Sequence, residues 1–126
     1  MDINELILTD AGVDAIEKGA WVGDLPGAPG VKLKVIGTAS KAYRKAIQAK
    51  MEAARKKQDG KALTAEQVTG LVREVFGEVA LLDWQGLTSE GKELPFDREL
   101  AKKWLTSRNG DAFSDLVATA AQRLDA

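Results

Sequence analysis

Hydrophobic and polar positions divide the chain into a first third with little helical period and a remainder patterned strongly for helix. In the first third, Asp10 stands where it would cap a short helix over 11–18 that stops at Gly19. The run Gly23-Asp24-Leu25-Pro26-Gly27-Ala28-Pro29-Gly30 holds two of the three prolines and three glycines, and reads as a loop. Beyond it, Val31-Lys32-Leu33-Lys34-Val35-Ile36 alternates apolar and basic residues, the period of a half-buried strand. Trp21–Val22 and Val31–Ile36 are the expected antiparallel partners across the loop. A hairpin of two strands needs a helix packed on it to be stable.

Helical spacing begins at Thr38 or Ser40, either of which can cap. Ala39, Ala42, Tyr43, Ala46, Ile47, Met51 and Ala54 form an apolar stripe, and the helix is expected to fray near Gln58-Asp59-Gly60. Thr64-Ala65-Glu66-Gln67 is a capping box that opens a second helix with the stripe Val68, Leu71, Val72, Val75, Phe76, Val79 and Leu82. Gly70 and Gly77 each weaken that helix by roughly 1 kcal/mol relative to Ala, so packing must hold it and another element can approach there. Asp83-Trp84-Gln85-Gly86-Leu87, a turn at 88–92 and Leu94-Pro95-Phe96 predict a short structured loop or small hairpin. Asp97 caps a third helix through Leu100, Trp104 and Leu105, ended by Asn109-Gly110. Asp111 is read as the cap of the last, which carries Phe113, Leu116, Val117, Ala120 and Leu124 on one face. The expected fold is α+β, mainly α. It is a single domain over 1–126, with a short helix and β-hairpin in about 1–38 packed on a helical part in about 39–126.

Composition narrows the chemistry. The 126 residues include no Cys and no His, which removes disulfides, thiolate nucleophiles, the commonest general base and the commonest metal ligand. Carboxylates, Lys, Ser, Thr and one Tyr remain. The glycine-rich loop at 23–30 lacks the spacing of a phosphate-binding loop, and Pro29 removes an amide where donors would be needed. Glu74 and Glu78 are four apart but lie off the apolar stripe, pointing to water rather than to a pocket that would raise a pKa. Ser40-Lys41 and Tyr43-Arg44-Lys45 match no catalytic spacing. The chain is therefore read as a binding or assembly protein, not an enzyme, with no cofactor and no metal.

Charge is uneven beneath a net −1. Lys41, Arg44, Lys45, Lys50, Arg55, Lys56 and Lys57 face one acid, Glu52, for a local +6, while the rest of the chain carries −7. Such a helix is either a solvated face or a contact for an acidic protein surface. Nucleic acid is the weaker reading, because the segment offers only Tyr43 and Gln48 to stack on or read bases. Of the three Trp, Trp84 and Trp104 are expected in the core, whereas Trp21 beside the loop is balanced between core and partner anchor. No stretch approaches the roughly 20 apolar residues of a membrane span, and the N-terminus opens with acids rather than a signal peptide. A cytoplasmic protein is expected.

The order of short motifs carries a resemblance. Gly19-Ala20-Trp21-Val22 is followed by the alternating 31–35 run and by Ala42-Tyr43-Arg44-Lys45 opening a charged helix. Then come Leu82-Asp83-Trp84-Gln85-Gly86-Leu87 and Glu90-Gly91-Lys92-Glu93-Leu94-Pro95-Phe96. Over roughly 19–124 this resembles the tail assembly chaperones of long-tailed bacteriophages and prophages. Two departures stand out: Ser89-Glu90-Gly91 where Asp-Gly is usual, and a long Pro-rich insert before Val31. The resemblance implies a protein of the host cytoplasm, absent from the finished virion, that binds the tape measure protein and keeps it soluble. Tail tube protein would be recruited through a longer, frameshifted form. Asp83, Trp84, Gly86, Pro95 and Phe96 transfer as signature positions with a structural role. Trp21, Lys41, Arg44 and Lys45 are the candidate protein-binding residues, with the basic helix 41–57 flanking an apolar groove. Self-association is expected as well. The competing reading is a small nucleic-acid-binding or regulatory protein using the same helix.

Overall fold

Helix α1 (Asp10–Lys18) follows a 3₁₀ turn at Ile3–Glu5 and leads into strands β1 (Ala20–Val22) and β2 (Lys32–Val35). Helices α2 (Lys41–Lys57) and α3 (Ala65–Val75) come next, then a π turn at Phe76–Ala80 and strand β3 (Leu81–Gln85). A small hairpin of β4 (Thr88–Ser89) and β5 (Lys92–Glu93) precedes α4 (Arg98–Leu105), a 3₁₀ turn at Arg108–Gly110 and α5 (Asp111–Asp125). This is the architecture of a computed structural model that describes residues 1–125. The fold is α+β and mainly α, as the sequence predicts.

The expected hairpin forms with Ala20 opposite Val35, Trp21 opposite Lys34 and Val22 opposite Leu33. It is not alone: β3 adds to β2, giving an antiparallel sheet of order β1-β2-β3. The register slips between Lys34, opposite Asp83, and Val35, opposite Leu81, so Leu82 is the extra residue of a bulge. Strict alternation would send Leu81 and Trp84 to opposite faces. The bulge lets both be buried against the core.

Four further details correct the sequence expectations. Thr9, not Asp10, caps α1: its hydroxyl accepts from the Gly12 amide (3.0 Å). Asp10 instead opens the first turn, where its charge suits the helix dipole. Ala42 is exposed, so the α2 stripe runs through Tyr43, Ala46, Ile47, Met51 and Ala54. The second helix does not reach Leu82; its α-helical part ends at Val75 and the backbone widens into the π turn before becoming strand. Helix α4 ends at Leu105, with Thr106 as C-cap, and the Asn109-Gly110 signal belongs to the separate 3₁₀ turn. The expected caps form at Ser40 (rather than Thr38), Thr64 and Asp97, which accept from the amides of Tyr43, Gln67 and Leu100 respectively, and Thr64 makes the full capping box with the reciprocal Gln67 bond.

The core lies between the inner face of the sheet (Val22, Leu33, Val35, Leu81, Trp84) and the helices α3, α4 and α5. Gly77 permits the close approach its sequence position suggests: a Cβ there would lie 3.2 Å from the Lys102 backbone. Gly70 faces open space and serves no such contact. Two arginines stitch non-local loops to helices. Arg98 Nη1 donates to the carbonyls of Gly77 (2.8 Å) and Leu81 (3.0 Å), at either end of the π turn. Arg123 donates to the carbonyls of Gly23 (2.7 Å) and Asp24 (2.9 Å), fastening the Gly/Pro loop to α5.

Candidate partner-binding grooves

Helix α3 is amphipathic and short, and the elements around it do not close over both of its flanks. On one side a groove of about 860 Å³ opens between Gly70, Leu71 and Glu74 of α3, Ala54 of α2 and the 106–108 turn. On the other, a groove of about 380 Å³ lies between Val68, Val72 and Phe76 of α3, Tyr43 of α2 and Ser114 and Ala118 of α5. Thr69 and Arg73 line both and form the ridge between them. Arg73 Nη1 donates to Asp111 Oδ1 at 2.6 Å, tying α3 to the first turn of α5. Asp111 is thus in helical conformation and bonded across the groove, rather than the cap expected of it.

The electrostatics around the grooves are set by a few contacts. Glu74 and Glu78 do not simply face water; both reach Lys50 of α2, at 3.8 and 3.0 Å. That draws one cation of the basic helix into an internal clasp. Tyr43 has its hydroxyl pKa raised above 10.0, first by burial and then by the nearby Asp125 carboxylate. Asp125 itself accepts from the Thr38 hydroxyl and from the Ala39 amide (3.0 Å), holding the start of α2 against the end of α5. Among the described residues no group of three or more acidic side chains is gathered as a metal site requires. The smaller groove sets Val68, Val72, Phe76 and Ala118 beside the charged Arg73 and Asp115. Such a surface takes an amphipathic helix or an apolar segment with polar flanks.

Lys41, Arg44 and Lys45 lie exposed on α2, and none of them lines either groove. Helix α2 flanks the grooves through Tyr43 and Ala54, from its other side. Among the described residues, the side chains of Lys41, Arg44 and Lys45 make no ion pair, although the Lys41 amide donates to Glu17 Oε2 (3.0 Å). Trp21 is 39% exposed on edge strand β1. The candidate binding residues therefore occupy two different elements and do not form one cluster with the grooves.

The signature positions converge on one corner. Trp84 is buried, donates from Nε1 to the Leu94 carbonyl (2.9 Å), and packs against Phe96, Trp104 and Phe113 with ring centroids 4.9, 5.6 and 5.9 Å away. Asp83 Oδ1 accepts from the Trp84 amide (2.8 Å). Gly86 has φ +83°, and the Gly30 carbonyl oxygen occupies the space a Cβ would take. Pro95 links the Leu94 acceptor to Phe96 and stays exposed. Arg73, Asp111 and the groove floor were not singled out from sequence. Asp111 reads in the sequence as a cap, and Arg73, between Val72 and Glu74, carries no local signal of a bond across to α5.

Fold and site together define a mainly helical domain with two open grooves along one helix. The family model described as YdaY prophage protein matches residues 38–126, and the chain belongs to that family of prophage proteins. The match begins just before α2, so every residue lining the two grooves falls inside it, whereas α1, β1 and β2 fall outside. No curated protein and no solved structure matches the chain. Among the described residues, no helix is long and apolar enough to cross a membrane.

Proposed function

We propose that this prophage protein is a tail assembly chaperone that binds the tape measure protein, keeps it soluble and helps recruit tail tube subunits. The observation that carries the reading is the open groove between α3 and α5, with Val68, Val72 and Ala118 half-buried along its walls. A long helical partner offers apolar stripes that such a groove can cover and release. The corner built from Asp83, Trp84, Gly86 and Phe96 supports the same reading, because the ordered motifs behind the resemblance form one packed unit. On this reading the protein works without catalysis and without a cofactor. It acts in the host cytoplasm, self-associates, reaches tube protein through a longer frameshifted form and is left out of the virion.

The test is co-purification of the tagged chain with the tape measure protein of its own prophage. Val68→Glu and Ala118→Arg, checked for fold by circular dichroism, are expected to lose the complex. Charge reversal at Lys41, Arg44 and Lys45 is expected to weaken it. Retention of the complex by the folded groove variants would overturn the groove as the site. The outward cations of α2 also favour a second reading, binding to nucleic acid. A titration against DNA at several salt concentrations separates the two, since phosphate contacts give a steep fall of affinity with salt.

A further inference from the structure

Trp21 and the two lysines of β2 line neither groove, yet the sheet brings them onto one face. Val22, Leu33 and Val35 are buried toward the core, so Trp21, Lys32 and Lys34 project from the opposite side. The register sets Trp21 directly opposite Lys34, with Cβ atoms about 5 Å apart, and puts Lys32 on the diagonal, about 7–8 Å away. Strand β3 extends the same face with Asp83 opposite Lys34 and Gln85 opposite Lys32. Trp21 lies on the edge strand β1, and it, Lys32 and Gln85 are exposed. Gly23 leaves room for the Lys32 stem, since a Cβ there would lie 3.5 Å from Lys32 Cγ. Among the described residues, Lys32, Lys34 and Asp83 enter no ion pair, and Asp83 Oδ1 accepts from the Trp84 amide instead.

We propose that this outer face of the sheet binds single-stranded nucleic acid, with a base stacked on Trp21 and neighbouring phosphates met by Lys32 and Lys34. An exposed indole is a stacking platform that tolerates any base, and a base reaches it only when it is free of a duplex. Lys32 and Lys34 stand two residues apart on an extended strand, about 7 Å, and so meet two successive charges of a polyanion rather than one. Asp83 in the middle of the face opposes the carboxylates of an acidic peptide. The amino groups of unpaired bases instead donate to such a side chain, as cytosine N4 does. Gln85 beside it both donates and accepts, so base edges find partners of either kind. Strands β1 and β2 lie outside the residues 38–126 that the family model matches and away from the α3/α5 groove lining. The inference therefore does not rest on the tail reading, and it uses none of the α2 cations.

The experiment titrates the full chain against a labelled single-stranded oligodeoxycytidine, following the anisotropy of the label and the emission of tryptophan. Trp84 is buried and Trp104 half-buried, so quenching on binding is expected to come from Trp21. With two phosphates neutralised, log affinity should fall against log salt with a slope of about −1.4, and Lys34→Gln should reduce that slope to about −0.7. Trp21→Ala alters an exposed position and is expected to weaken binding by about tenfold or more. Trp21→Phe keeps a stacking ring, so it should recover most of the affinity while abolishing the quenching. Neutralising the α2 cations (Lys41→Gln, Arg44→Gln and Lys45→Gln together) should leave the slope unchanged. Absence of binding at low salt, an affinity indifferent to Trp21→Ala, or a slope reduced by the α2 variant and not by Lys34→Gln would each overturn the proposal. Displacement of the oligonucleotide equally well by its duplex form or by polyglutamate would do so too.

Discussion

Arg98→Ala removes the side chain that holds the transition from helix to strand. The π turn at Phe76–Ala80 widens the backbone just before β3, and Arg98 donates to carbonyls on both sides of that change. Its guanidinium donates at 2.8 Å to Gly77 and 3.0 Å to Leu81, and lies 5.4 Å from the centre of the Phe96 ring. Losing a hydrogen bond from a charged donor costs about 1.5–3 kcal/mol. The two bonds share one nitrogen and water can reach the half-buried site, so they do not add in full. With a cation–π contact of about 0.5–1 kcal/mol, the expected loss is about 2–4 kcal/mol. Urea unfolding followed by tryptophan fluorescence should show a lower midpoint at unchanged slope. Arg98→Lys, which can reach one carbonyl, is expected to recover about half of the loss. A midpoint for Arg98→Ala equivalent to less than about 0.5 kcal/mol of destabilisation would refute the role given to this residue.

Three other substitutions test separate parts of the fold. Gly86→Ala forces φ +83° on a residue with a Cβ and drives it into the Gly30 carbonyl; a loss of about 3 kcal/mol or more is expected in the same urea assay. Glu90→Asn places a residue suited to left-handed backbone at φ 52°, in the β4–β5 turn before Gly91, and should raise thermal stability by about 0.5 kcal/mol. Tyr43→Phe tests the alkaline limb. The folded-state pKa of Tyr43 lies above 10.0, so its contribution is fully present below about pH 10 and is lost as pH rises through the folded value. Stability of the unaltered chain should therefore fall more steeply above pH 10 than that of Tyr43→Phe, and parallel curves would contradict the burial assigned to this hydroxyl.

Local signals in the sequence were enough for much of the fold. Alternation at 31–36, the Thr64 capping box and the Gly19 stop all correspond to elements that form. The stretch from Phe76 to Gln85 was harder for a physical reason. Val75, Phe76, Val79 and Leu82 keep helical spacing, while Leu81 and Trp84 belong to a strand whose bulge breaks the two-residue period. Only pairing with β2, some 50 residues earlier, decides between them. The grooves were legible only in part. The apolar stripe of α3 was plain, but which of its members would be left half-covered depends on where α2 and α5 come to rest. The roles of Arg98 and Arg123 had no local signal at all, because both donate to backbone carbonyls distant in sequence.

The proposed function has this prophage protein cover apolar helix surface on the tape measure protein, with the α3/α5 groove as the proposed site. The most direct measurement is the soluble fraction of that tape measure protein expressed alone, with this chain, and with its folded Val68→Glu variant. The account predicts that the unaltered chain brings the tape measure protein into solution as a complex and that the variant leaves it insoluble. Equal solubility in all three would contradict it.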